Sequence, residues 1–372
     1  MVKTQQRIPD EYILMSETER DERIRKIKAD LGSKLVILGH HYQRDEVIRY
    51  ADYRGDSLKL SQLAAQEKEA EFIVFCGVHF MAETADMLTK PEQKVILPDL
   101  GAGCPMADMA DIEDVEMCWE ILDSQYPRDR EIIPVTYVNS SAEVKAFCGR
   151  HGGMTCTSSN APKIFESLLS AGKSILFLPD EHLGRNTGLK WGLSEKDIFL
   201  WDRERAWESP EAELPEEAPK LILWNGYCNV HQKFEPQHIE EVRKKYPGIR
   251  VIVHPECSHE VVEKADLDGS TDYIIRQISE SPAGSVWAVG TEINLVLRLA
   301  QENPDKKIVC LNENVCLCIM MSRISQPHLL WTLENLMRGE VVNQICVDPE
   351  ITEDAIIALN RMLEISSSVS IR

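Results

Sequence analysis

The chain predicts an α/β protein made of three pseudo-symmetric, three-layer αβα domains with parallel sheets, and three observations carry that expectation. Short apolar runs alternate with amphipathic helical stretches along most of the sequence, as strands joined by helical crossovers do. The runs are apolar almost without interruption, as in strands covered on both faces. Nine of them fall into three sets of three with the same order of polar residues, the mark of a long internal repeat.

An opening helix comes first. Ser16 and Glu19 form a capping-box pattern, Ile24, Ile27 and Leu31 mark one face, and Gly32 stands where the helix stops. The first set of strands is "KLVILGH", "EFIVFCG" and "KVILPD". The second is "EIIPVTYV", "KSILFLPD" and "KLILWNG", and the third is "RVIVHPE", "SVWAVGT" and "KIVCLNE". The expected organisation is an N-terminal helical segment over 1–33, repeat 1 over 34–125, repeat 2 over 126–240 and repeat 3 over 241–325. C-terminal helices over 326–372 then pack on the N-terminal part. Residues 185–220 have no counterpart in the other repeats, and their Pro/Glu-rich end reads as a surface insertion.

Each repeat offers chemistry at matching places. The first strands end in His40 and Tyr42, in Tyr137 and Asn139, and in His254 and Glu256. A helix start bearing small hydroxyls follows: Ser57, Ser158, then Ser270 and Thr271. His40 to Ser57 is 17 positions and so is His254 to Thr271, which selects Thr271 over Ser270. The third strands run into Cys104, Cys228 and the pair Cys316/Cys318.

Bulk properties narrow the function classes. A length of 372 residues suits two or three domains. With 61 acidic and 41 basic side chains the net charge is −20, which disfavours nucleic acid or an anionic membrane as partner. No apolar run is long enough for a membrane span and the start lacks a signal-peptide core, so a soluble, cytoplasmic protein is expected. Eleven cysteines, an odd number, argue against a disulfide framework, and most should be reduced packing residues.

Ligands of open parallel sheets collect at the carboxyl ends of strands. Three repeats around an axis would gather those ends into one cavity, with one cysteine from each. Thiolates from such distant segments cannot make a local zinc ribbon, but they can hold a central cluster. Soft thiolates select zinc, Cu(I) or iron–sulfur. A 4Fe–4S cluster with three protein ligands leaves an open iron that can act as a Lewis acid. A zinc site with three thiolates, helped by His231, stays open at this point. The helix starts suit a phosphate or carboxylate, and His40, Tyr42, His254 and Glu256 suit proton transfer. His41, facing the other way along its strand, reads as structural. No P-loop, G-x-G-x-x-G, G-x-S-x-G or H-E-x-x-H motif occurs, against the common NTPase, dehydrogenase, hydrolase and zincin readings.

Over roughly 34–325 the chain resembles the quinolinate synthase family, through "GHHYQ", "ADYRGDSLKLSQLA", "CGVHFMAETADML", "LPDLGAGCPMADM", "PVTYVNSSAEVKA", "CTSSNA", "WNGYCNVH", "HPEC" and "GST". The resemblance implies three α/β domains around a 4Fe–4S cluster held by three cysteines, with one open iron. It implies condensation of iminoaspartate with dihydroxyacetone phosphate to quinolinate, in de novo NAD biosynthesis, with functional coupling to L-aspartate oxidase. No nicotinamide, flavin or ATP is implied. Carried over by residue, Cys104, Cys228 and one of Cys316 and Cys318 are the metal ligands. His40, Tyr42 and Glu256 are catalytic, and His40, Ser57, Tyr137, Asn139, Ser158, His254, Glu256 and Thr271 bind substrate. The family's third cysteine precedes Pro-x-Met; neither thiol here has that proline, but Met321 stands three residues after Cys318. His40 to Cys104 and His254 to Cys318 are both 64 positions. Cys318 is therefore the expected ligand, with Cys316 the alternative. The 185–220 segment is longer than in many relatives. The competing readings are another 4Fe–4S-dependent hydro-lyase and a non-enzymatic iron–sulfur redox sensor.

Overall fold

A computed structural model describes residues 7–126, 131–202, 214–312 and 317–367. Among the described residues the fold is α/β, with three parallel sheets flanked by helices, in keeping with three αβα layers.

The first sheet holds β1 (Leu35–His40), β2 (Tyr53–Gly55), β3 (Phe72–Cys76) and β4 (Lys94–Ile96), in the order β2-β1-β3-β4. The second holds β5 (Ile132–Tyr137), β6 (Met154–Cys156), β7 (Ser174–Leu178), β8 (Ile198–Trp201) and β9 (Leu221–Trp224), in the order β6-β5-β7-β9-β8. The third holds β10 (Arg250–Val253), β11 (Leu267–Asp268), β12 (Val286–Gly290) and β13 (Lys307–Cys310), in the order β11-β10-β12-β13. All nine sequence-predicted runs form strands, and their pairings are parallel.

Each repeat also has a strand that the sequence reading lacks. β2, β6 and β11 are two or three residues long and pair with the outer side of the first strand of their set. They set the place of the hydroxyl-bearing residues. Gly55 lies opposite His40 and Cys156 opposite Tyr137, so Ser57 and Ser158 follow two residues beyond the first-strand ends. In the third sheet Asp268 lies opposite Val253, and Thr271 follows it by three residues.

The chain forms two compact units, which do not follow the repeats. One comprises Met1–Cys104, Glu292–Glu302 and Leu317–Val347; the other comprises Pro105–Thr291, Asn303–Cys316 and Asp348–Arg372. In the first unit, Ser16 Oγ accepts Glu19 N–H at 3.2 Å to cap the helix Glu17–Leu31, and Gly32 ends it at φ 52°. The helix Gln326–Met337 packs on it. Its Gln326 accepts from Arg20 Nε at 2.8 Å and donates to the Tyr50 hydroxyl at 2.7 Å.

In the second unit the last helix, Pro349–Ser367, packs on the helix Ala142–Arg150 and on β6. The crossing is close because Gly149 has no side chain: a Cβ there would come within 1.9 Å of the Asp354 carbonyl oxygen. Val144, Phe147, Leu176, Ile222, Trp224 and Ala358 form the core beneath it.

The segment 185–220 is more than a surface loop. It begins inside the helix Glu181–Trp191 and supplies β8, which pairs with β9 as the fifth strand of its sheet. Residues 203–213 lie outside the described residues. No described helix is long and apolar enough to cross a membrane.

Candidate functional site

The first unit positions His40 and Tyr42 at the carboxyl end of β1. His40 is buried, and its Nδ1 accepts the Tyr42 backbone N–H at 3.1 Å. The two rings meet edge-on at 4.7 Å. The following loop is fastened by one guanidinium: Arg298 donates from Nη1 to His41 O (2.8 Å), from Nη2 to Gln43 O (2.6 Å) and from Nε to Asp45 (2.9 Å). Gln43 Nε2 donates in turn to Met321 O at 3.0 Å. Ser57 opens the helix Ser57–Gln66, but Asp56, not Ser57, caps it by accepting Lys59 N–H at 2.9 Å. That leaves the half-buried Ser57 hydroxyl outside the cap.

Cys104 and Cys318 also belong to this unit, and both are half-buried. The Cys318 N–H donates to Glu292 at 3.4 Å. Glu292 is a buried carboxylate at the start of the helix Ile293–Glu302 that also accepts Asn294 N–H at 2.8 Å. Burial pushes its carboxyl up to about 8 against the hydrogen bonds it accepts. Cys316 lies outside the described residues.

The second unit brings together a denser set. Glu256, buried after β10, approaches His231 Nδ1 at 2.6 Å and His254 Nδ1 at 3.7 Å, and it is hydrogen-bonded by Tyr137. The His231 and His254 rings stack at 4.6 Å, and His231 Nε2 meets the Thr291 hydroxyl at 3.0 Å. Burial raises the Glu256 carboxyl, but the histidines and the hydrogen bonds from His231 and Tyr137 outweigh it and hold it down near 2. Burial pushes His254 to about 3, so that ring is neutral at pH 7.

Cys228, half-buried, completes the set. Its sulfur, one ring nitrogen of His231 and a Glu256 oxygen all lie within 4.8 Å of one another, close enough to hold a metal ion. Asn139 sits two residues past Tyr137 at the end of β5, and its buried Oδ1 accepts no hydrogen bond among the described residues. Thr271 is the buried first residue of the helix Thr271–Ser279, whose cap is Ser270, accepting Tyr273 N–H at 3.3 Å. Ser158 departs from the pattern: it lies in a turn three residues ahead of the helix Ala161–Ser170. It lines a 510 Å³ cleft with Lys163, Lys190, Ser270 and Arg276.

Burial separates the cysteines in a way the sequence cannot. Cys76, Cys118, Cys148, Cys156 and Cys257 are fully enclosed, and burial pushes each thiol up, which suits packing and not ligation. Cys104, Cys228 and Cys318 are only half-buried, each after the last sequence-predicted strand of its set.

Sequence reasoning passed over the acids behind the strand ends. Asp180 follows β7 and caps the helix Glu181–Trp191 by accepting Leu183 N–H at 2.7 Å, as Glu292 caps its own helix after β12. Burial first, then the neighbouring Glu256, raises the Asp180 carboxyl well above its ordinary range. The available signal was an acid directly before a helix in both "LPDEHLG" and "VGTEIN".

Comparison with known proteins identifies the family. The family model described as quinolinate synthetase A protein matches residues 22–364. The chain is 53% identical over 357 residues to proteins named quinolinate synthase from Bacillus anthracis (strain A0248) and Bacillus cereus (strain AH187), covering 96% of each chain. It is 53% identical over 356 residues to the quinolinate synthase of Bacillus pumilus (strain SAFR-032), covering 96% of this chain and 95% of that one. The chain belongs to the quinolinate synthetase A protein family.

Proposed function

We propose that the chain is a quinolinate synthase of NAD biosynthesis that condenses iminoaspartate with dihydroxyacetone phosphate. One carbon–carbon and one carbon–nitrogen bond form between the two substrates to close the ring, and phosphate and two waters leave. Atoms balance without an oxidant or reductant. Family membership supports this reading. The single observation that carries the chemistry is the buried Tyr137–His231–His254–Glu256 constellation beside a half-buried thiol.

Cys104, Cys228 and Cys318 would hold a 4Fe–4S cluster, and the donors fit it: three half-buried thiols at matching places in three repeats, apart from the enclosed packing cysteines. When bound, such a cluster would supply a Lewis-acidic open iron for substrate oxygen. The protein's own groups do the rest. Glu256, kept ionised at neutral pH, accepts a proton from the substrate carbon or nitrogen and returns it to a leaving hydroxyl. Tyr42 shares this transfer, and His40 assists isomerisation and dehydration. Tyr137, Asn139, His254, Ser57, Ser158 and Thr271 hold the carboxylates and the phosphate. The substrate imine is short-lived in water, so coupling to an L-aspartate oxidase that supplies it belongs to the proposal.

Anaerobic purification followed by an assay for quinolinate from the two substrates tests this directly. A brown, iron-containing protein that forms quinolinate is expected. A colourless protein with zinc as its metal and no product would instead favour the Cys228–His231–Glu256 set as a zinc site.

A further inference from the structure

We propose that Asp99 and Arg323 are positioning residues for the metal centre, a clamp that fixes the loop carrying Cys104 against the segment carrying Cys318. The inference rests on the reading that these two cysteines are cluster ligands.

Asp99 stands five residues before Cys104, and Arg323 stands five residues after Cys318. Asp99 is only 2% exposed, and a carboxylate taken out of water must be paired. Its partner is Arg323, at 3.0 Å from Nε to Oδ2 and 3.4 Å from Nη2 to Oδ1, a two-point contact that fixes orientation as well as distance.

Both ends of the clamp are tied to the cysteines. On one side the Asp99 carboxylate accepts the Gly101 N–H at 2.8 Å, and its carbonyl accepts Ala102 N–H at 3.0 Å. The loop is thus folded around Asp99 just ahead of Cys104. On the other side, Ser322 N–H donates to Cys318 O at 3.0 Å, so the turn bearing Arg323 folds back onto Cys318. Gly101 lies against the guanidinium, and a Cβ there would stand 2.5 Å from Nη2. The loop can therefore approach only as glycine while Arg323 keeps its place.

The Arg323 side chain is 43% exposed while Asp99 is enclosed, so a cation at the surface reaches in to a buried carboxylate. Beyond Asp99, His328 Nε2 lies 3.5 Å from Oδ2, and burial lowers that imidazole, leaving Arg323 as the cation facing the carboxylate. What the contact fixes is the relative place of two ligand-bearing loops. Removing such support behind metal ligands costs on the order of tenfold to a hundredfold in metal retention.

The test uses full-length protein loaded anaerobically with iron and sulfide. Arg323→Met, Arg323→Lys and Gly101→Ala are compared with the unmodified chain. The readouts are iron release to a ferrous chelator, the electron paramagnetic resonance spectrum of the reduced cluster, and thermal unfolding of the metal-free protein. Arg323→Met and Gly101→Ala should release iron on the order of tenfold faster and shift the spectrum. Arg323→Lys, which keeps the charge but not the two-point contact, should fall between them and the unmodified chain. Unchanged release and an unchanged spectrum in Arg323→Met and Gly101→Ala would overturn the clamp, whatever the unfolding temperature does. Should Arg323→Met not fold, the other two variants decide on the same readouts. An unmodified chain that forms no cluster overturns the cluster reading itself, before any variant is compared.

Discussion

Nδ1 of His231 lies 2.6 Å from Oε2 of Glu256, joining two buried residues 25 positions apart. With His254 and the hydrogen bond from Tyr137, this contact holds the carboxyl down against the burial that raises it. Glu256→Gln keeps the shape and removes the proposed base. Quinolinate formation should fall about 100-fold or more, with iron per chain unchanged. Full activity in this variant would take Glu256 out of the proton-transfer role.

Acid should unfold the protein in two stages, and the sign follows from the two depressed groups. His254 is neutral in the fold down to about 3, against 6.5 for an ordinary histidine. Below 6.5 the unfolded chain binds a proton that the folded chain refuses, so stability falls with pH. Glu256 goes from 4.5 to about 2, so its contribution is present above 4.5 and lost as pH falls through 2. The expected slope is roughly 1.4 kcal/mol per pH unit for each proton taken up. In metal-free protein, His254→Gln should flatten the denaturant midpoint between pH 6 and about 4.5. An unaltered slope there would show that His254 is not what carries the first stage.

Cysteine variants should divide along burial. Cys318→Ala should lose most of its iron, as should Cys104→Ala and Cys228→Ala. Cys76→Ala and Cys118→Ala should keep their iron while losing stability, because their thiols are enclosed. Iron analysis after anaerobic loading reads the difference. Cys316→Ala should retain iron; loss there with retention in Cys318→Ala would move the third ligand by two residues.

The crossing at Gly149 predicts a stability loss without a change in chemistry. Gly149→Ala would place a Cβ within 1.9 Å of the Asp354 carbonyl oxygen, forcing the last helix outward. A loss of about 1–3 kcal/mol is expected, read as a lower unfolding temperature, with the iron centre intact.

The sequence displayed nine strands, the edge strands β4 and β13 among them, and hid the short edge strands β2, β6 and β11. "KLVILGH" and "KSILFLPD" are legible because a strand covered on both faces must be apolar along its length. Tyr53–Gly55 and Leu267–Asp268 are not, since two or three residues beside Gly and Asp pair only because a neighbouring strand presents its backbone. The same holds at the site. His254 and Glu256 stand together in "HPEC" and announce themselves, whereas the partnership of Glu256 with His231 appears only once β9 and β10 are folded. Asp99 and Arg323 are 224 positions apart and carry no local pattern that would join them.

In every sheet the strand ending in His40, Tyr137 or His254 has a neighbour on both sides. Such a strand cannot fray: to shift its end, two ladders must slip together. The pairing beyond it is uneven from sheet to sheet: β11 is only a pair of residues, whereas β8 adds a fifth strand beyond β9. Amide exchange should therefore be slow along β1, β5 and β10, as along β3, β7 and β12, and fast at β2, β6 and β11. The residues proposed to hold substrate thus follow a strand paired along both edges, and the short strand beside it fixes where Ser57, Ser158 and Thr271 stand.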